Sequence, residues 1–370
     1  MPTLDVVVES SPSLSIRARQ VCGMFDCPPQ EKQQQRWQAE LPLHEKSWNV
    51  GLIVGPSGCG KSTVARALWP EEYAWTPKWD GATLIDCLQG SVEDVSNALA
   101  AVGFNTVPAW IRPFGVLSNG EKFRAEIAKR MLEQPGLLVV DEFTSVVDRQ
   151  VAKIASHAVQ KYVRRAQRQL VAVTCHSDVI DWLQPDWVFE PATRTFAWRS
   201  LQRRPPLNIE VARVPYEAWQ LFAPFHYLTA ELHRGAVCFG LWCDGVLAAF
   251  EAVLHFPHAK VKNIKRNSRV VTLPDYQGVG LAFVLSETLA AAYKALGYDL
   301  RNYPAHPAFI RAHSRSKMWR CVKSPQSPQS PQRVASIGKV SRQRPCAVFC
   351  YTGPAMESRE DARRLIEGHA

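Results

Sequence analysis

SNGEKFRAEIAKRMLEQPGLLVVDE, residues 118–142, decides how the first half of this chain is read. It opens with a small polar loop and continues as a basic amphipathic segment of helical period. After a Pro-Gly break it ends in an apolar run closed by Asp141 and Glu142. Adjacent carboxylates at the end of an interior strand are not a packing device, because acids are almost never buried without a partner.

The partner lies upstream. GPSGCGKST (55–63) matches the pattern G-x-x-x-x-G-K-S/T, directly after the apolar run WNVGLIVG (48–55) and before the helical KSTVARALW (61–69). That strand–loop–helix context is the one the pattern requires. Gly55, Pro56, Ser57, Gly58, Cys59, Gly60, Lys61, Ser62 and Thr63 are therefore the candidate phosphate-binding residues, with backbone amides converging at a helix start. Lys61 brings a point charge to the terminal phosphates of ATP and Ser62 a ligand to Mg2+, with Asp141 on the same ion. Glu142 is the candidate base for the attacking water, and His176, ending AVTCH (172–176), approaches the same phosphate.

Apolar runs and helical patterns alternate through residues 1–203, as in a mainly parallel α/β sheet domain. LDVVVES (4–10) and LSIRARQV (14–21) read as strands, RQVAKIASHAVQKYVRRAQ (149–167) as a helix and WVFEPATRTFAWR (187–199) as a hairpin. QRRPPLN (202–208) reads as a linker to a second, α+β domain over 204–370. Within that domain the basic, acid-free segment 322–345, with its SPQ near-repeat, reads as a mobile loop.

LSNGEKFR (117–124), Asp141, SVVD (145–148) and His176 together resemble the ABC-type ATPases, and the likeness covers about residues 1–200. The resemblance implies that Ser118 and Gly120 close over the nucleotide of a second protomer, making an ATP-dependent homodimer. It also implies that SVVD is the D-loop and His176 the switch histidine. Asn119 and Glu121 stand where that family has Gly and Gln. The interval from Lys61 to Asp141 is short, and no glutamine stands convincingly as a coupling-loop residue, Gln89 being a weak match. Together with the absence of an apolar run of membrane-spanning length, this points to the soluble, non-transporter branch, with no membrane partner. The first residues, MPTLDVVVES, lack the layout of a signal peptide, so a cytoplasmic location is expected. The ten cysteines show no C-x2-C spacing and are expected to be reduced thiols.

In the second half, SRVVTLPDYQGVGLAFVLSETLAAAYKALG (268–297) is a strand, a glycine turn and a long helix, repeating the logic of the first loop without its lysine. Gln277, Gly280 and Ala282 form Q-x-x-G-x-A, which resembles the acyl-CoA motif of GNAT acetyltransferases over roughly 208–353. The resemblance implies acetyl-CoA or another acyl-CoA, with its pyrophosphate on Gly278, Val279 and Gly280. Its acyl arm would lie along the strand at 269–273, and Tyr303 would be the proton donor to the leaving thiolate. PFHYL (224–228) and HPAFIRAHSRSKMW (306–319) resemble the phage Mom-type DNA modification branch; His226, Tyr227, Arg311 and Ser314 would then line the acceptor cleft, with His306 capping the next helix.

The net charge of +10 and the basic runs KVKNIKR (260–266) and 322–345 favour an anionic acceptor, DNA or RNA. The expected function is an ATPase–acyltransferase fusion acting on or near nucleic acid. The alternatives are a nucleic-acid-binding switch with a non-catalytic GNAT-like half and, third, an ATPase subunit of a membrane transporter.

Overall fold

The computed structural model describes residues 3–10, 15–24, 33–199, 207–226, 231–257, 263–324 and 346–368. Tyr227, residues 202–206 of the linker, 260–262 of KVKNIKR and 325–345 of the basic segment lie outside the described residues. The chain forms two compact units, both discontinuous in sequence. The first comprises 1–76, 134–146 and 163–203, and the second 77–133, 147–162 and 204–370. Among the described residues no helix is long and apolar enough to cross a membrane.

The first unit holds strands β1 (Thr3–Ser10) and β2 (Gln33–Glu40), an antiparallel pair. Its five-stranded sheet contains β3 (Val50–Val54), β4 (Leu137–Val140), β5 (Gln169–Thr174), β6 (Trp187–Glu190) and β7 (Thr195–Trp198). The order is β4-β5-β3-β6-β7, parallel throughout except for the β6–β7 hairpin at the edge. Parallel strands covered on both faces need continuous apolar sequence, and Leu52, Ile53, Val139, Val171, Val173 and Phe189, all buried, supply it. LSIRARQV is not a strand: Ile16–Met24 is a helix. Its apolar alternation at Leu14, Ile16 and Ala18 mimics a strand period over too few residues to decide the matter.

The second unit is built on a seven-stranded sheet. Its strands are β8 (Ile209–Arg213), β9 (Val237–Cys243), β10 (Val246–His255), β11 (Ile264–Thr272), β12 (Asp299–Asn302), β13 (Trp319–Lys323) and β14 (Val348–Tyr351). The order is β13-β14-β12-β11-β10-β9-β8, and only β11 and β12 run parallel. That pairing spans three positions and stops at Arg266 and Arg301, while β11 runs on to Thr272. The two strands thus part company in the direction of the glycine turn. The long helix Leu281–Ala295 packs Leu285, Leu289 and Tyr293 against Phe239, Leu241 and Val253 of the sheet, and Ile154 joins the same core. The segment read as a helix at 215–226 is broken, with one α-helical turn at Trp219–Phe222 between two 3-10 turns. The fold class is mixed α/β, as expected from the sequence: a mainly parallel five-stranded sheet and a mainly antiparallel seven-stranded one.

Glu251, at the centre of β10, is fully buried and accepts a hydrogen bond from the Ser286 hydroxyl at 2.5 Å. Burial pushes its carboxyl up to about 8, so the folded unit holds a proton that the unfolded chain has released above its ordinary value. The stability this confers is complete below the unfolded carboxylate range. It is lost as pH rises through about 8, at a slope of about 1.4 kcal/mol per pH unit. Glu251→Gln keeps the shape without the proton. It is expected to flatten the fall in unfolding free energy between pH 5 and 8, measured by urea titration; an unchanged slope would remove Glu251 as its source.

Candidate functional site

Because β3, β4 and β5 are parallel neighbours, their carboxyl ends bring the phosphate loop, Asp141–Glu142 and His176 to one edge of the sheet. This is where open α/β sheets bind ligands. Gly60 starts the helix Lys61–Leu68 with φ +93, a left-handed conformation. A Cβ there would also fall 2.2 Å from the Trp37 ring, whose indole N–H donates to the Cys59 carbonyl at 2.8 Å. No other residue type fits, so Trp37 and Gly60 together set the loop. Lys61 folds back, its Nζ donating to the Pro56 carbonyl at 2.8 Å.

Asp141 accepts at both oxygens. Oδ1 takes the Glu142 amide at 2.8 Å and Oδ2 the Tyr73 hydroxyl at 2.5 Å. Burial and the Asp141 carboxylate push the Tyr73 phenol pKa up, keeping it a donor. Glu142 is exposed, with a left-handed backbone (φ +55), and its carbonyl accepts from the Ser145 amide. His176 is half-buried, and its amide donates to the Thr174 hydroxyl at 3.2 Å. Ser62 and Asp141 offer only oxygen, a donor set that fits Mg2+.

In the second unit, Ser118 and Glu121 form a capping box at the start of the helix Asn119–Glu133. The Ser118 hydroxyl accepts from the Glu121 amide at 3.3 Å, and the Glu121 carboxylate accepts from the Ser118 amide at 2.9 Å. Glu121 thus has a local structural role at the helix start. One turn on, Arg124 is buried. Its guanidinium donates to the Pro274 carbonyl and, at 3.2 Å, to the Asp275 carbonyl. Burial pulls Arg124 down to about 10, against the charges of Asp275, Glu121 and Asp148, so it stays ionised at neutral pH. Gly120 lies against the same turn, since a Cβ there would sit 3.8 Å from Asp275 Oδ1.

Gln277 is also held from this side. Its Oε1 accepts from the Asn105 amide at 2.6 Å, and its Nε2 donates to Thr106 Oγ1 and the Thr272 carbonyl at 3.1 and 2.9 Å. A Cβ on Gly278 would lie 2.7 Å from the Gly103 Cα. Gly280 is different, with nothing within 4 Å of a Cβ. Its φ/ψ of 94/15 nearly repeats the 93/13 of Gly60. Among the described residues the amides of Gly278, Val279 and Gly280 have no acceptor. Ala282 lies in the first turn of the helix that follows.

Tyr303 follows β12 where it leaves β11, half-buried, with its ring centroid 5.9 Å from that of Phe256. His306 caps the helix Pro307–Arg315, accepting from the Ala308 amide at 3.2 Å, and burial pulls its pKa down to about 4. His313, missed in the sequence, is fully buried. Its Nδ1 donates to the Phe309 carbonyl and its Nε2 accepts from Asn302, with burial again holding it neutral. Arg124, Tyr73 and Trp37 were missed too. Of these only Ser118-x-x-Glu121 around Arg124 carried a recognisable signal, the capping-box pattern.

No family model matches the chain. Elongation factor 3 of Phytophthora infestans is 29% identical over 119 residues, 26% of this chain and 11% of that protein. The probable iron export ATP-binding protein FetA of Escherichia coli is 28% identical over 176 residues, 36% of this chain and 78% of that protein. Among solved structures, the ribosomal-protein-S18-alanine N-acetyltransferase from Escherichia coli aligns with 41% of this chain and 97% of its own, at 17% identity and a TM-score of 0.29. The chain thus spans about a tenth of the elongation factor and most of FetA, and over that stretch it is similar to ABC ATPases.

Proposed function

We propose that the chain is an ATP-hydrolysing ABC-type switch, residues 1–203, joined to a GNAT-like module, 204–370, that takes an acyl-CoA. Mg2+, held by Ser62 with Asp141 beside it, would neutralise charge on the terminal phosphates of ATP. Glu142 would hold the attacking water, and Ser118 and Gly120 would close on the nucleotide of a second copy. The observation that carries the reading is the fastening of the turn Pro274–Gln277 to the LSNGEKFR segment through Arg124, with Asn105 and Thr106, after the helix Val92–Ala101, holding Gln277 from the same side. Movement of that segment on ATP closure would be felt directly at the acyl-CoA turn. The matching backbone of Gly60 and Gly280 supports a pyrophosphate on the second turn. The charge of +10 supports a DNA or RNA acceptor, and the Mom-type resemblance would make it DNA.

Calorimetric titration of acetyl-CoA tests this, on the full chain because residues 77–133 pack with 204–370. Gly280→Glu puts a carboxylate where the pyrophosphate would sit and is expected to weaken binding by more than about a hundredfold, with ATP hydrolysis retained. Failure of the wild-type chain to bind would overturn the acyl-CoA reading. A second reading, a non-catalytic binding switch, is favoured by the structural bonds of His313, fully buried with both ring nitrogens hydrogen-bonded, and of His306, whose Nδ1 caps a helix. Binding of acetyl-CoA without loss of its thioester in the presence of DNA and RNA would select it.

A further inference from the structure

Tyr73 lies in the single turn Pro70–Ala74, immediately after the phosphate-loop helix. Its amide bonds the Trp69 carbonyl at 2.9 Å, and the Arg66 guanidinium lies 5.1 Å from its ring centroid. The ring is thereby set, and its hydroxyl reaches across to Asp141 Oδ2 at 2.5 Å, just beyond the end of β4 and 68 residues away in sequence. Ser62 and Arg66, one turn apart on the helix, are weaker hydrogen-bonding neighbours of the same hydroxyl. A single phenol thus stands at both groups proposed to serve the cation. Glu142's amide holds the other oxygen of Asp141, so the carboxylate is fixed at both ends.

We infer that Tyr73 is a positioning residue for Mg2+: it locks Asp141 beside Ser62 in the orientation that receives the hydrated ion with its nucleotide. The inference rests on the nucleotide-site reading above. Loss of a hydrogen bond to a charged group is expected to cost about tenfold or more. That cost should fall on the magnesium-dependent part of binding alone, because the phenol touches no part of the phosphate loop that acts without the metal.

The test is the affinity of a fluorescent ADP analogue for the full chain, in EDTA and across a magnesium titration. Wild type is compared with Tyr73→Phe, which keeps the ring and removes the hydroxyl. Expected is unchanged affinity in EDTA and at least about a tenfold loss in the tightening that magnesium brings. In an Asp141→Asn background, Tyr73→Phe should have no further effect, since the phenol acts through that carboxylate. Equal weakening with and without magnesium would mean a packing role and overturn the inference. So would unchanged or improved magnesium dependence, the latter making Tyr73 a competitor of the ion. No nucleotide binding by wild type in either condition would overturn the nucleotide reading itself, and this inference with it.

Discussion

Glu142→Gln is expected to lower ATP turnover about 10²- to 10⁴-fold while leaving nucleotide affinity unchanged. The substitution is isosteric, and the backbone that places the residue is held independently of its side chain, through the Asp141 carboxylate and the Ser145 amide. Only the anionic acceptor for the water's proton is lost. Lys61→Ala should act the other way, weakening nucleotide binding itself by about tenfold or more, since it removes a charged donor to the phosphates. Single-turnover hydrolysis and equilibrium binding, measured on both variants, separate the two. Wild-type hydrolysis rates in both would remove this edge of the sheet as the site. If ATP closes two chains on each other, sedimentation of the Glu142→Gln variant with ATP and magnesium should show a dimer that nucleotide-free protein lacks. A monomer under both conditions would refute trans closure.

Arg124→Met is expected to destabilise the second unit by about 3–5 kcal/mol, the cost of breaking a buried charged network from one side. Two backbone carbonyls, of Pro274 and Asp275, would lose their donor, and Asp275 would face Glu121 and Asp148 with no cation between them. Urea unfolding followed by tryptophan fluorescence reads the loss. Arg124→Lys keeps the charge but not the fork that spans two carbonyls, and should recover only part of it. A change within about 0.5 kcal/mol, the range of an ordinary surface position, would show that the turn is held by other contacts.

Short-range patterns were legible in the sequence. The phosphate loop, the apolar strands beside it, the WVFEPATRTFAWR hairpin and the strand–turn–helix at 268–297 each carry their signal within a few residues. The short strands β8, β12 and β13 escaped because four or five residues at or near a sheet margin, partly exposed, show no clear alternation. Arg124 escaped for a different reason. In an amphipathic helix an arginine reads as a solvated position, and its burial depends on a segment 150 residues further along the chain. Tyr73 is similar, since no local pattern says that a phenol will find a carboxylate 68 residues further along the chain. Glu121 stands as a departure from a family pattern, although its spacing to Ser118 also offers a local structural role.

The discontinuous second unit bears on how the chain is made. Its helical part, 77–133, leaves the ribosome well before the sheet it packs against, with Gln277 following Asn105 by 172 residues. Contacts so distant in sequence form slowly, because the loop between them must close before they add any stability. During synthesis the capped helices Val92–Ala101 and Asn119–Glu133 therefore stand without their partner surface, exposing the ground around Gly103 and Arg124. Nascent chains of this protein should expose a sticky intermediate that persists until β11 and the turn beyond it have emerged, a natural client for a holding chaperone.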